Sequence, residues 1–237
     1  MPIFTYEKHQ SSKSLADKLA MVDTSYMIVL SDEDDSRNPI VAPFHINATQ
    51  NGATFAINSV VRQEFIKDVR KKVLVDAILA LSVSDENLAD RYKLILGQDK
   101  PVTEASLRHG YDRIYKDHIK KADTFLIRSS LATSESNIWE KVSRFESAAH
   151  LTYTRPKTGT SADGLWISLG SLMAAVCMDA TDAMITNLAI NIGADAIVTA
   201  DCDFACLSPI FDIYLPKDIA EQCQGYDETI DEAAAHP

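Results

Sequence analysis

Short apolar runs, separated by longer segments of helical spacing, define the predicted secondary structure of the chain. The runs lie at residues 19–23, 54–58, 196–199 and 211–216, and their length is typical of buried strands. In the segments between them, apolar residues fall three and four positions apart, as they do on one face of a helix. Strands that alternate with helices predict a parallel sheet covered by helices on both faces.

Two helical segments carry an acidic residue near their start. One follows Ser59, which we expect to be its N-cap, and holds Glu64 among apolar neighbours. The other holds Asp182 and ends at Gly193, which is typical of a helix C-terminus. The apolar residues of this second helix share one face and are Ala183, Met184, Leu188, Ala189 and Ile192.

The remaining segments are assigned by composition. Residues 31–52 contain Asp, Asn, Pro and Gly and are expected to form a loop, as are residues 154–160. A buried helix is predicted from about 162 to 178. Its most apolar run has 15 residues, fewer than the roughly 20 that a membrane helix needs. We therefore expect no association with a membrane.

The chain is predicted to form one domain, residues 18–216, after a polar lead-in at residues 1–17. A long helical region without a flexible linker predicts an insertion at about 73–160 within this domain. Breaks between its helices are expected at residues 97–101 and 129–134. Residues 217–237 are acidic and rich in alanine, and we expect a tail with no structure in the core.

Charge and cysteine content restrict the function further. With 34 acidic and 23 basic residues among 237, the formal net charge is −11. No global positive field attracts nucleic acid, so a polyanionic substrate needs a local basic patch. The four cysteines show neither the spacing of a zinc site nor the density of a disulfide scaffold, and the N-terminus has no signal pattern. A reduced, cytoplasmic protein is the simplest interpretation.

Five acidic residues fall where a parallel sheet brings its strand ends together. Asp23, Asp201 and Asp203 lie at or just past predicted strand ends, and Glu64 and Asp182 lie in the first turns of helices. Open α/β sheets keep their ligand sites at this edge. Carboxylates that converge without a positive partner repel one another unless a cation neutralises them. Oxygen ligands of this kind favour Mg²⁺ or Mn²⁺.

Structural alternatives exist for these residues. An Asp that follows a strand is commonly the cap of the next helix, which would account for Asp23 taken alone. Asp179 competes with Asp182, and we favour Asp182 for the site with Asp179 as the helix cap. A turn residue before an anchoring Phe204 would have the same pattern as Asp203.

Four segments of the chain, taken in order, resemble the PIN-domain nucleases, distantly those of the VapC type. They are Val22–Ser25, Ser59–Glu64, Asp182–Ala189 and Ile197–Phe204. The resemblance covers roughly residues 18–72 and 176–216, and the closing segment Ile213–Pro216 is also similar to the family. It implies a divalent-metal-dependent hydrolase, usually a ribonuclease, built on a three-layer α/β/α sandwich.

The resemblance also implies roles for the acidic residues. Asp23, Glu64, Asp182 and Asp201 match the family's catalytic acidic quartet, which binds Mg²⁺ or Mn²⁺, and Asp203 matches its auxiliary metal ligand. Thr199 is expected to support the site by orienting a carboxylate through a hydrogen bond. The candidates for contact with an RNA substrate are basic residues that follow or flank Glu64, namely Arg62, Lys67, Arg70 and Lys71.

The chain departs from compact VapC-type toxins in one respect. Glu64 and Asp182 are 118 positions apart, whereas the toxins have a much shorter interval. The inserted helices could form a cap over the substrate, a homodimer interface, or a docking surface for an antitoxin or another protein. Two alternatives to a ribonuclease stay open: a non-catalytic PIN-like module that binds protein or RNA, and a metal-dependent DNA nuclease or phosphatase.

Overall fold

A computed structural model describes residues 2–84, 86–120, 138–154, 173 and 178–235, and its strands form one sheet. Their order across the sheet is β1-β6-β5-β2-β3-β4, and every neighbouring pair is parallel. In chain order, the strands are β1 (Ile3–Thr5), β2 (Leu19–Val22), β3 (Thr54–Ile57), β4 (Leu151–Tyr153), β5 (Ala196–Val198) and β6 (Asp212–Leu215).

Helices connect the strands, and the predicted α/β three-layer sandwich with a central parallel sheet is confirmed. Residues 138–148 are also helical, and a 3₁₀ helix spans Cys202–Leu207. The α-helices are α1 (Tyr6–His9), α2 (Thr24–Ser31), α3 (Asn38–Gln50), α4 (Ser59–Ser84), α5 (Glu86–Leu96), α6 (Glu104–Lys120), α7 (Ala180–Ile192), α8 (Lys217–Ala220) and α9 (Glu228–Ala235).

The chain divides into two compact units. The first comprises Met1–Phe65 and Phe145–Pro237 and contains the whole sheet, and the second comprises Ile66–Arg144. The insertion predicted at about 73–160 shares residues 73–144 with the second unit. That unit has its own core, which is formed by Leu74, Val75, Ile78, Tyr92, Leu107 and Ile114.

The second unit shows one of the two predicted breaks between helices. Helix α5 ends at Leu96 and α6 begins at Glu104, as the Gly and Pro residues at 97–101 predict. The break predicted at 129–134 lies outside the described residues. So do the loop predicted at 154–160, apart from Thr154, and all but Met173 and Met178 of the helix predicted from about 162 to 178. No helix in the described ranges is both long and apolar enough to span a membrane.

The central strands β2 and β5 explain how distant residues come together. Helices cover both faces of the sheet, so these strands are apolar along their length, and Ala20–Val22 and Ala196–Val198 are fully buried. Val22 pairs with Val198 in parallel register. The next residues, Asp23 and Thr199, therefore leave the same edge of the sheet side by side. The Asp23 amide confirms this register by donating a hydrogen bond to the Val198 carbonyl, at 3.1 Å.

Helix α3 corrects the prediction of a loop at residues 31–52. Pro39 lies in its first turn, where no backbone N–H is needed, and Pro43 lies inside the helix on its exposed side. Four buried residues follow helical spacing: Val41, Phe44, His45 and Ala48. The apolar periodicity therefore outweighs the Asp, Asn, Pro and Gly content on which the loop was predicted.

The N-terminal lead-in is part of the core. Strand β1 pairs with β6 at one edge of the sheet, with Ile3 opposite Ile213, and Leu15 is buried. Tyr6 and His9 of α1 are also buried. The polar composition of residues 1–17 predicted only a lead-in, and the structure corrects this, because β1 becomes an edge strand of the sheet by pairing with β6.

Helix α9 corrects the second expectation about the termini, that the acidic tail adds nothing to the core. Asp231 is fully buried and accepts hydrogen bonds from the Thr5 amide at 3.1 Å and the Thr5 hydroxyl at 2.6 Å. His9 Nε2 and the Tyr226 hydroxyl lie 2.9 and 3.1 Å from its carboxylate. We call Thr5, His9, Tyr226 and Asp231 the Asp231 cluster. It fixes the C-terminal helix to the first strand.

Candidate functional site

A pocket of about 260 Å³ lies at the carboxyl ends of β2 and β5. It brings together all five of the predicted acidic residues, although they come from distant parts of the chain. None of the described residues that line it is basic. The lining residues are Asp23, Thr24, Ser25, Ile28, Glu64, Asp179, Thr181, Asp182, Asp201 and Asp203.

Asp23 has the structural role of the alternative interpretation, because it caps α2. Its Oδ1 accepts from the Thr24 amide at 2.6 Å, and its Oδ2 accepts from the Ser25 amide at 3.2 Å and from the Ser25 hydroxyl. Burial raises the pKa of Asp23, which is only 5% exposed, and these hydrogen bonds offset part of the rise. The carboxylate is held rigidly, and Oδ1 keeps more of its lone-pair capacity than Oδ2.

Thr199 forms a hydrogen bond with a carboxylate, as expected from the resemblance. Its hydroxyl donates to Oδ2 of Asp23 at 2.8 Å and accepts from the Asp201 amide at 3.0 Å. Thr199 is fully buried, and it thus fixes both the side chain of Asp23 and the backbone of Asp201. The carboxylate of Asp23 and the chain at Asp201 are held in one arrangement.

Asp201 and Asp203 form the exposed side of the pocket. Asp201 caps the 3₁₀ helix by accepting from the Asp203 amide at 3.1 Å. Between them lies Cys202, and one ligand atom from each of the three residues can be chosen so that all lie within 4.8 Å of one another. Among the described residues, no other trio of acidic, His or Cys side chains is this close. The quartet of Asp23, Glu64, Asp182 and Asp201 lines one pocket without forming so tight a group.

Asp179 and Asp182 both contribute to the pocket, and Asp179 is also the helix cap. Asp179 is the N-cap of α7 and accepts from the Asp182 amide at 2.9 Å, while both side chains line the pocket. Partial burial raises the pKa of Asp182 to about 7, assisted by the negative charges of Asp179, Asp23, Asp201 and Asp203. The negative charges at this pocket therefore favour the uptake of a proton or the binding of a cation.

Glu64 is connected to the pocket through a residue that sequence reasoning missed. The Thr24 hydroxyl donates to Oε2 of Glu64 at 2.7 Å, so α2 and α4 meet at this hydrogen bond. The signal for Thr24 was its place in the pair of hydroxyl residues that follow Asp23, since hydroxyl groups next to a site's carboxylates can orient them by hydrogen bonding.

The cap of α4 differs from the prediction. Asn58, and not Ser59, caps this helix, because its Oδ1 accepts from the Val61 amide at 2.8 Å.

The basic residues predicted to contact RNA have other partners or lie in the second unit. Arg62 forms a two-point ion pair with Glu146, with N–O distances of 2.7 and 2.9 Å, and its charge is thereby partly neutralised. Lys67, Arg70 and Lys71 belong to the second unit. The Lys71 ammonium lies 5.6 Å from the ring centre of Tyr111.

Comparisons with known proteins add no relatives: no family model, curated protein or solved structure matches the chain. The resemblance to PIN-domain nucleases therefore depends on the four sequence segments and stays a prediction. The donor set itself fits a hard divalent cation, because carboxylate and hydroxyl oxygens surround the pocket, and burial together with the neighbouring negative charges raises the pKa of Asp182.

Proposed function

We propose that the chain is a divalent-metal-dependent ribonuclease that hydrolyses phosphodiester bonds at the pocket at the carboxyl ends of β2 and β5. One observation carries the proposal: six carboxylates line a pocket of about 260 Å³ in which no described lining residue is basic. A cation would relieve this repulsion, and Mg²⁺ or Mn²⁺ suits the oxygen donors. The choice of RNA as the substrate is supported by the resemblance to PIN-domain nucleases.

The arrangement gives each acidic residue a role in this proposal. A bound divalent cation would lower the pKa of a water molecule and neutralise charge on the phosphate. Asp23 and Asp201 would ligate it directly, with Asp203 as an auxiliary ligand on the exposed side. Glu64 and Asp182 would hold water molecules bound to it. Thr199 and Thr24 would act indirectly, by keeping Asp23 and Glu64 in a fixed orientation.

Substitution of single carboxylates tests the proposal. Asp201→Asn removes an exposed acidic group at the pocket, and we expect it to slow Mn²⁺-dependent cleavage of single-stranded RNA at least about 100-fold. Asp218→Asn is the matched control, because it makes the same change of charge at an exposed residue outside the pocket. Equal cleavage by Asp201→Asn, Asp218→Asn and the parent protein would sink the proposal.

A non-catalytic PIN-like module is the second candidate, and the hydrogen bonds of Asp23 favour it. Oδ2 of this residue already accepts three of them, as expected of a structural cap. Calorimetry separates the two functions, because a binding module need not take up Mn²⁺ at the pocket. Parallel assays on RNA, DNA and a small phosphomonoester distinguish a ribonuclease from a DNA nuclease or a phosphatase.

A further inference from the structure

Tyr6, in the segment before β2, reaches the candidate site through the core. Its side chain is fully buried, and its hydroxyl donates to the carbonyl of Thr199 at 2.6 Å. The ring is held by neighbouring rings, with centroids 4.8 Å away for Phe44 and 5.6 Å away for Tyr26. A buried aromatic side chain packed in this way has little freedom to turn, so the hydroxyl is presented to one place.

The peptide unit between Thr199 and Ala200 is fixed at both ends by side chains. Strand β5 ends at Val198, and the next carbonyl, that of Thr199, accepts from Tyr6. The N–H of the same peptide unit, on Ala200, donates to the hydroxyl of Ser25 at 2.8 Å. Because a peptide unit is planar, these two hydrogen bonds together determine its orientation.

The orientation of this peptide unit bears directly on two acidic residues of the pocket. The Thr199 hydroxyl donates to Asp23, and the Asp201 amide donates to the Thr199 hydroxyl. A rotation of the peptide unit would therefore move the support of Asp23 and the start of the turn that carries Asp201. Misplacement of such groups by a fraction of an ångström is enough to slow a reaction.

We infer that Tyr6 is a positioning residue of the pocket, acting through Thr199 on Asp23 and Asp201. Its part in catalysis rests on the proposed function, whereas its effect on the peptide unit does not. Tyr6 lies outside the segments that resemble PIN-domain nucleases. The segment from β1 to α1 thus supplies a component of the site to which the resemblance assigns nothing.

Amide hydrogen exchange tests the structural part of the inference. Tyr6→Phe keeps the ring and removes the hydroxyl, and we expect the amides of Ala200 and Asp201 to exchange about tenfold faster than in the parent protein. Tyr214→Phe is the matched control, because it removes another buried hydroxyl from the same aromatic core. It should leave both amides unchanged. Unaltered exchange at Ala200 and Asp201 in Tyr6→Phe would overturn the inference, whether or not the parent protein cleaves RNA.

Cleavage kinetics test the catalytic part. With Mn²⁺ and single-stranded RNA, we expect Tyr6→Phe to lower kcat about tenfold with KM unchanged, while Tyr214→Phe keeps both values. An unchanged kcat in an active parent protein would overturn the assigned role in catalysis. A parent protein that cleaves no RNA would instead contradict the proposed function, and the exchange experiment would still decide whether Tyr6 positions the peptide unit.

The parent protein provides an answer even if Tyr6→Phe does not fold. A Tyr6 hydroxyl bonded to a buried carbonyl gives a proton resonance that is protected from exchange with solvent. Nuclear Overhauser contacts between that proton and Thr199 are expected. A hydroxyl that exchanges freely and shows no such contacts would overturn the inference.

Discussion

The surroundings of Asp231 and Asp182 shift the pKa values of these two acidic residues in opposite directions. Burial alone would raise the pKa of Asp231, but hydrogen bonds from His9 and Thr5 outweigh it and lower the pKa below its ordinary value. Burial raises the pKa of Asp182 to about 7, and the negative charges around the pocket act in the same direction. The fold stabilises the charged form of the first carboxylate through hydrogen bonds, whereas the surroundings of the second disfavour its charged form.

This difference distinguishes a structural acidic residue from a candidate functional one. A buried carboxylate that accepts several hydrogen bonds stabilises the fold and has little capacity left for a ligand. Carboxylates that face one another across a pocket cost stability, and proteins retain such arrangements mainly at functional sites. Asp23 combines both properties, since it caps a helix and also lines the pocket.

The largest effect is expected at the Asp231 cluster. Asp231→Ala leaves the Thr5 amide and hydroxyl, His9 and Tyr226 without their shared acceptor. We therefore expect the free energy of unfolding to fall by about 3 kcal/mol in urea titrations. Asp203→Ala, at an exposed position of the pocket, should change it by less than about 0.5 kcal/mol. Similar losses of stability in Asp231→Ala and Asp203→Ala would contradict the difference between the Asp231 cluster and the pocket.

A smaller effect is expected from metal binding at the pocket. At a Mn²⁺ concentration 100 times the dissociation constant, the free energy of unfolding should rise by about 2.7 kcal/mol. The rise should disappear in Asp201→Asn and persist in Asp218→Asn. Thermal denaturation with and without Mn²⁺ provides the measurement. A stability that does not respond to Mn²⁺ in the parent protein would show that repulsion at the pocket is not relieved by this cation.

The smallest effect is a pH dependence of stability in metal-free buffer. The pKa of Asp182 is about 7 in the folded protein and 3.8 in its ordinary state, so the folded state binds the proton more tightly between these values. The Asp182 contribution therefore increases stability as the pH falls from 8 to 5. Since its side chain is only partly buried, we expect about 1 kcal/mol or less.

Asp182→Asn isolates this contribution from other titrating groups. The variant should be more stable than the parent protein at pH 8 and should lose the advantage at pH 5, whereas Asp218→Asn should follow the parent at both. For Asp231 we expect the opposite change of stability with pH. Because its pKa is lowered, its contribution to stability disappears as the pH falls through the acid range. An identical pH dependence in Asp182→Asn and the parent would refute the raised pKa.

Much of the sheet could be predicted because a buried parallel strand needs a continuous apolar run. Residues 19–23 and 196–199 show such runs, and β2 and β5 follow them to within one residue. β1 could not be predicted, because its three residues become a strand only by pairing with β6, some 210 positions away. Helix α3 was missed because Pro and Asn were read as loop residues although the apolar spacing was helical.

The acidic residues of the pocket could be predicted from their positions after strands and in the first turns of helices. Of the hydrogen-bonding residues, Thr199 was predicted, whereas Thr24 and Ser25 were missed. Their position beside Asp23 is a weak signal, because they gain their roles from contacts with Glu64 and Thr199 across the fold. Tyr6 is the extreme case, since 193 positions separate it from the carbonyl that it contacts. Local sequence contains no record of such a contact.

The pairing of β1 with β6 also has a consequence for the order of folding during synthesis. Ile3 pairs with Ile213, and 210 positions separate the two residues. Strand β1 can pair only after Asp212–Leu215 has been made, and such long-range parallel pairing is slow. The Asp231 cluster can form only once α9, which follows β6 in the chain, has also been made. A growing chain therefore carries β1 unpaired through the synthesis of the intervening residues, and Tyr6 reaches the Thr199 carbonyl only after β5 is complete.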